Sequence, residues 1–381
     1  MYPYLHDFFN DILGTHWRLP FPMFGFWVAL AFVAAHYIFV LELKRKEGLG
    51  LVQAFQRKRM EGEKMSVQDG LMQALLGFLV GYKGLQAVLY YDAFVSDPPS
   101  FLFSSQGSVI GGLAMAAILF YWRYREVKKQ EREVPLEVEE SVHPFQLVGN
   151  MTLIAALAGI LGAKLFHNLE NIDEFMNDPL GALMSFSGLS IYGGLIIGGL
   201  AVIIYARKNG LKAIHVMDAC APGLILAYGV GRIGCQLAGD GDWGLPNDGP
   251  MPEFLSFLPD WMWSYNYPNN VLGVDLQQDF MRMGLVSETG RAWPTPFYES
   301  VMAFVIFAFL WSIRKRMSAP GLMFSLYILL AGVERFFIEK IRINPPYKFF
   351  GIEATQAEII SVLLIIAGLA GIYASRRKRP S

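Results

Sequence analysis

Residues 216–244 read VMDACAPGLILAYGVGRIGCQLAGDGDWG. The run from Val216 to Leu237 has the length of a bilayer crossing, which takes about 20 predominantly apolar residues. Arg232 lies inside it, and an ionisable residue in such a run is costly and points to function by default. Glycines at 231, 234, 239, 241 and 244 mark a helix end and let backbone approach a ligand closely. Asp240 and Asp242 follow at once. Backbone opened in this way finds no hydrogen-bond partner in lipid, so it must line a cavity or lie within protein.

Outward from this stretch the same texture continues. Of the 381 residues, 54% are hydrophobic and 17% charged, against about 25% charged in a soluble domain. Eight further apolar runs lie near 21–41, 70–91, 107–122, 147–166, 189–206, 297–313, 321–338 and 357–374. The expected fold class is an all-α polytopic membrane protein of about nine transmembrane helices, with 107–122 the shortest. The net charge of −1 carries no nucleic-acid signal. Cys220 and Cys235 both fall in the run just quoted and make neither a disulfide framework nor a thiolate metal site. The first 17 residues hold Asp7 and Asp11 and neither Lys nor Arg, the wrong charge for a cleavable signal peptide.

Cytoplasmic loops collect Lys and Arg. Alternate loops here hold Lys44–Lys46 with Arg57–Arg59 and Lys64, then Arg123–Arg132, Arg207–Lys212, Arg314–Arg316 and Arg376–Arg379, together 22 of the 32 basic residues. The opposite loops hold Asp92, Asp97, Glu170, Asp173, Glu174 and Asp178. The expected topology has the N-terminus outside and the C-terminus in the cytoplasm.

An internal repeat runs through the first half. Gly81-Tyr82-Lys83 recurs as Gly162-Ala163-Lys164, and Phe94–Pro98 as Phe175–Pro179, both 81 residues on. Gly107 recurs as Gly188 and, after one inserted residue, Gly111-Gly112-Leu113 as Gly193-Gly194-Leu195. A hairpin within 70–122 is thus expected to repeat within 147–206, in the same orientation. Parallel repeats of this kind occur in transporters, and they also arise by plain duplication of a hairpin. Residues 1–20 are expected to form an interfacial amphipathic helix. Residues 238–294 form an external loop with Trp243, Trp261, Trp263, Tyr265, Tyr267 and Trp293, suited to an interfacial aromatic belt or to a substrate-touching arm. The rest, 21–381, reads as one transmembrane domain.

Basic residues that escape the cytoplasmic loops are Lys83, Lys164, Arg232 and Arg335, with Lys340 and Arg342 just past 321–338. Acidic groups at similar depth are Asp240, Glu299, Glu339 and Glu358. Structural ion pairs would explain any one of these. Four cations at one depth in different spans favour an anionic ligand, and arginine suits phosphate because its planar fork donates two hydrogen bonds at once.

At 231–244 the sequence resembles the prolipoprotein diacylglyceryl transferase family, whose signature runs roughly G-R-x-G-N-F-x-N-G-E-x-x-G. Gly231, Arg232, Gly234, Gly239 and Gly244 match, Asp240 stands for Glu, Cys235 and Ala238 replace the two Asn, and one residue is inserted before Trp243. Four more blocks follow in family order: Val216–Pro222 for V-x-D-x-x-A-P, Pro294–Glu299 for P-[ST]-Q-L-Y-E, Arg335–Arg342 for R-x-x-x-E-x-x-R, and Ser190–Leu195 for S-F-H-G-G-L. The likeness covers about 147–375 and the first span. Seven spans are usual in the family, which makes the hairpin within 70–122 an addition.

The resemblance implies a bacterial inner-membrane, multi-pass transferase. Such enzymes move the diacylglyceryl group of phosphatidylglycerol to the lipobox cysteine of a prolipoprotein and release glycerol phosphate, the first step of lipoprotein maturation. The implied partners are phosphatidylglycerol, prolipoprotein signal peptides and membrane lipid; no metal or cofactor is required. Carried over residue by residue, Arg232, Arg335, Tyr192, Asp240, Glu339 and His167 are the expected catalytic set. Arg232, Arg335, Arg342, Lys164, Gly193, Gly194 and Glu299 are expected at the lipid headgroup. Glu339 and Asp240 are expected to orient the arginines. The departure that matters is Tyr192, where the family usually has His, while His167 stands where Tyr is usual. The imidazole and phenol have either exchanged places, or His167 is incidental, or electrostatics alone activate the substrate thiol. Competing readings are a phospholipid or anion transporter, a catalytically degenerate homologue and a non-catalytic scaffold.

Overall fold

The computed structural model describes residues 1–184, 190–349 and 352–377. Gly188 of the repeat, Leu189 at the start of the fifth apolar run, and Lys378 and Arg379 lie outside them. In chain order the elements are α1 Leu5–Leu13, α2 Met23–Gly48, β1 Phe55–Glu61, α3 Val67–Leu89, α4 Tyr91–Ser96, α5 Pro98–Phe103, α6 Val109–Gln130 and β2 Leu136–Val142. They continue with α7 Val148–Glu170, α8 Ile172–Asn177, α9 Pro179–Met184, α10 Ile191–Lys208, α11 Ala213–Ala238, α12 Leu276–Arg282 and α13 Thr295–Ile313. The last are α14 Leu322–Glu339, β3 Tyr347–Phe349, β4 Ile352–Ala354 and α15 Gln356–Arg377.

Among the described residues, seven helices are long and apolar enough to cross a membrane: α2, α3, α7 with its 3-10 entry from Pro144, α10, α11, α13 with its 3-10 exit to Arg316, and α15. The other two runs expected as spans are also helices, α6 and α14. They stand apart by composition, α6 through Arg123, Arg125 and Glu126 and α14 through Glu334, Arg335 and Glu339.

The chain forms two compact units. The first comprises Met1–Gln53, Pro144–Leu153 and Val202–Ser381. Helix α11 is its axis. Glycines let α2 come close: a Cβ on Gly234 would lie 2.8 Å from Trp27 Cβ, and one on Gly223 would lie 3.1 Å from the Ala35 carbonyl. On another face Ser300 Oγ of α13 donates to the Gly229 carbonyl (2.9 Å). Ala221, Ile225, Ala303, Leu310 and Met323 form the apolar core among α11, α13 and α14. Asp218 fixes the start of α14, accepting from the backbone N–H of Gly321 (2.8 Å) and Phe324 (3.0 Å), with Lys46 Nζ 3.5 Å away. This explains the aspartate of the 216–222 block: it satisfies donors that a helix start leaves open.

Helix α11 ends at Gly239, whose φ of 63° is left-handed. The segment 239–294 then folds around Trp243, Tyr267, Leu276, Phe280 and Ala292. Five of its six Trp and Tyr rings pair with one another in close contact, Trp243 with Tyr267, Tyr265 with Tyr267 and Trp263 with Trp293, so part of the expected belt or arm packs into a folded loop. Trp261 packs on Phe297. Helix α1 is amphipathic, and Ile12, Leu13 and the following Trp17 stay exposed.

The second unit comprises Ala54–His143 and Ile154–Ala201. It contains the repeat, and the equivalence extends to atoms. A Cβ on Gly81 would lie 2.1 Å from the Gly111 carbonyl, and one on Gly162 would lie 2.5 Å from the Gly193 carbonyl. Ser108 N–H donates to Tyr82 O (2.9 Å), and Ser190 N–H donates to Ala163 O (3.0 Å). Each copy is a pair of helices, α3 with α6 and α7 with α10, brought together by glycine. No strand is expected from the sequence. The ladder β1–β2 is antiparallel and runs from Phe55↔Val142 to Glu61↔Leu136. It sets Arg57 against Glu140 and Lys58 against Glu139, and Lys58 Nζ also reaches Glu137 (3.0 Å).

Candidate functional site

The candidate residues of the first unit converge on one carboxylate. Glu299, in the first turns of α13, is 0% exposed. Its Oε2 is 3.2 Å from Arg232 Nε and 3.3 Å from Arg342 Nη1. Its Oε1 is 2.9 Å from Arg335 Nη1 and accepts the Tyr228 hydroxyl at 2.9 Å. Arg335 is held a second time by Glu339, one helical turn on, at 2.9 Å. Glu339 accepts further from Asn344 (2.6 Å) and Thr355 (2.7 Å). Guanidinium groups from the end of α11, from α14 and from just beyond α14 thus meet around a carboxylate from α13. The Arg232 guanidinium also lies 5.1 Å from the Tyr228 ring centre, over an electron-rich face.

The glycine-rich turn completes the cluster. Asp242 binds Arg232 Nη1 with one oxygen and Arg342 Nη2 (2.5 Å) with the other. Gly239 and Gly241, with φ of 63° and 94°, bend the chain back to allow this. Gly244 has a different task. A Cβ there would lie 2.4 Å from the Ile341 carbonyl, and Leu245 N–H donates to that carbonyl (2.8 Å). That backbone bridge lays 244–245 against 341–342 and brings Arg342 to Asp242. Burial alone would raise the Asp242 carboxyl, but Arg232 and then Arg342 outweigh it and hold it at about 2. Asp240 goes the other way, raised by burial and by Asp242 beside it. Burial would lower Arg342; Asp242 and Glu299 raise it instead.

Of the residues singled out by sequence, the first unit brings together Arg232, Arg335, Arg342, Glu299 and Glu339. Asp240 is adjacent, but of the two aspartates it is Asp242 that joins Glu299 on Arg232. Tyr228 was not among the expected residues, and as a tyrosine in an apolar run it gave no signal. Cys235, Asp240 and Asp242 have ligand atoms within 4.8 Å of one another. Arg232 Nη1 is 3.8 Å from Cys235 Sγ and also bound to Asp242, so guanidinium already supplies the positive charge a metal would bring.

Lys164, His167, Tyr192, Gly193 and Gly194 belong to the second unit, at the contact of α7 with α10. A Cβ on Gly193 would lie 2.5 Å from Phe166 Cβ, which makes His167 and Tyr192 chain neighbours of a touching pair. His167 Nδ1 is 3.3 Å from Asn171 Nδ2, and Lys164 is buried. Ser190 Oγ donates to Glu170 (3.2 Å).

The fold and the cluster define a class: a multi-pass helical membrane protein with arginines and carboxylates gathered where its helices end. The family model for prolipoprotein diacylglyceryl transferase matches residues 114–374. The phosphatidylglycerol–prolipoprotein diacylglyceryl transferase of Clostridium tetani is 28% identical over 220 residues, 58% of this chain and 77% of the relative. That of Clostridium botulinum strain 657 is 30% identical over 226 residues, 59% and 80% of the two chains. A second such enzyme of Clostridium perfringens is 28% identical over 221 residues, 58% and 75%. The chain belongs to the prolipoprotein diacylglyceryl transferase family.

Proposed function

We propose that this protein transfers the diacylglyceryl group of phosphatidylglycerol to the lipobox cysteine of prolipoproteins, in the inner membrane of a bacterium. The observation that carries the reading is the convergence of Arg232, Arg335 and Arg342 on Glu299 in a chain of this family. In the reaction a carbon–sulfur bond forms at the glyceryl carbon and the carbon–oxygen bond to phosphate breaks. Glycerol phosphate leaves with the bonding pair, and the thiol gives up its proton. Negative charge grows on the phosphate as the bond breaks, and preorganised guanidinium groups stabilise the transition state more than the bound lipid. Glu299 and Glu339 fix the arginines in place, so little reorganisation is needed at that moment. Lys164, Gly193 and Gly194 are the second unit's candidates for the headgroup, and Asp240 stands by Arg232.

The nucleophile is the substrate's thiol, which needs modest help at neutral pH because its ordinary pKa is about 8.5. Tyr192 and His167, neighbours of the Phe166–Gly193 contact, are the residues for that proton. We infer nine crossings, with the more charged α6 and α14 added to the seven helices named above, the N-terminus and the 238–294 loop outside, α1 at the interface and the C-terminus in the cytoplasm. The transporter reading rests on the repeat alone, and the repeat does not extend to Arg232 or Arg335.

The test is transfer in detergent from phosphatidylglycerol to a lipobox peptide, followed by peptide mass and glycerol phosphate release. The expected result is a diacylglyceryl mass shift with equal glycerol phosphate, reduced at least about 100-fold in Arg335→Ala, the scale of losing one preorganised donor. Retained transfer in both Tyr192→Phe and His167→Ala would leave electrostatics alone to activate the thiol. No mass shift from wild-type protein that binds the lipid would refute the transferase reading.

A further inference from the structure

The cluster contains an anion that the proposed chemistry does not need. Asp242 presents one carboxylate oxygen to Arg232 and the other to Arg342, the two-oxygen geometry in which a phosphodiester meets two guanidinium groups. Its side chain is 30% exposed, against 8% for Arg232, 10% for Arg342 and 0% for Glu299, so among these groups it is the one nearest solvent. Charge points the same way. Arg232, Arg335 and Arg342 are matched in ion pairs by Glu299, Glu339 and Asp242. A phosphodiester that took the place of Asp242 would bring the same single negative charge. Nearby Asp240 has no ion pair with these arginines among the described residues, nor has buried Glu334 on α14.

We propose that Asp242 is a displaceable stand-in for the headgroup phosphate: an anionic lipid enters by taking Arg232 and Arg342 from this carboxylate, so Asp242 sets how tightly the lipid is held. The proposal rests on the reading that these arginines hold the lipid phosphate. The backbone need not move, because Thr295 Oγ1 donates to the Asp242 carbonyl (2.6 Å) and anchors it; rotation of the side chain is enough. With its carboxyl held at about 2, Asp242 leaves by losing a competition for the arginines and not by taking up a proton.

The experiment measures binding of short-chain phosphatidylglycerol and phosphatidylcholine to the full-length protein in detergent, with thermal melts as a check on folding. Asp242→Asn and Asp242→Ser are expected to bind phosphatidylglycerol tighter by on the order of ten-fold, with little change for phosphatidylcholine. Asp242→Glu, which keeps the charge, is expected to bind no tighter than wild type. If folded Asn and Ser variants bind phosphatidylglycerol no better than wild type while Arg342→Gln weakens it, the stand-in role is wrong and the phosphate reading survives. If Arg342→Gln binds like wild type, both fall. Should the neutral variants not fold, tighter binding by the Glu variant overturns the proposal and equal or weaker binding supports it.

Discussion

Glu299 shows what a single buried carboxylate can organise. Three guanidinium groups and the Tyr228 hydroxyl share its two oxygens, and each would repel or disorder the others without it. Breaking a buried ion pair by removing one partner costs about 3–5 kcal/mol, because a charge is left unmatched away from water. Glu299→Gln keeps the shape and removes the charge. It is expected to lower the melting temperature in detergent and to abolish transfer; a variant that melts and turns over like wild type would contradict the role assigned to Glu299. At this scale the arginines were readable from sequence, since a cation in an apolar run is conspicuous. Glu299 and Glu339 stand beside them at the same depth in the sequence; Asp242 as the partner of Arg232 and Arg342 was not readable. Asp240 and Asp242 are two residues apart, and the choice between them was made by two left-handed glycines and by the backbone bridge from Gly244 to Arg342.

The helices are held together by small residues placed where backbones touch. In membranes, association depends on close packing, since lipid is as apolar as the side chains. A methyl at Gly162 would meet the Gly193 carbonyl at 2.5 Å, whereas one at Gly199 on α10 would meet nothing within 4 Å. Gly162→Ala is therefore expected to destabilise by about 1–3 kcal/mol, the usual cost of overpacking, and Gly199→Ala to be neutral or slightly stabilising. Thermal unfolding of the two purified variants checks this, and equal melting temperatures would count against the packing argument. The helices are visible in the apolar runs and their charged ends. The strands β1 and β2 are harder to see, because FQRKRME carries no apolar alternation and that of LEVEESV (Leu136, Val138, Val142) is broken by Glu140; each is stabilised by opposite charges about 80 residues away.

For the whole chain, the hairpin α3/α6 is closed off at its own base. Gly62 and Arg132 are joined by a backbone hydrogen bond of 3.1 Å just beyond the β1–β2 ladder, so the chain that leaves to build the hairpin returns to the same point. Replacing residues 63–131 by a short turn is expected to keep β1–β2 as a simple hairpin. It removes two inferred crossings and preserves the orientation of everything downstream. The shortened protein is expected to insert in the membrane and to retain transfer. The family match begins at residue 114, inside α6, which gives the experiment its edge. Loss of folding would make α6 part of the family's own helix set and not of an addition.

The amino-acid sequence by itself determined the membrane character, the helices, the repeat and the family. Each of these is written in local quantities: apolar length, charge spacing and short motifs. Only the tertiary structure decided which carboxylate holds which arginine, because Arg232, Asp242, Glu299, Arg335 and Arg342 come from segments up to 110 residues apart. Their pairing depends on helix approach distances set by glycine, on one backbone bridge and on burial. None of these has a local signature, and together they separate scattered charges in apolar runs from an ordered cluster of ion pairs.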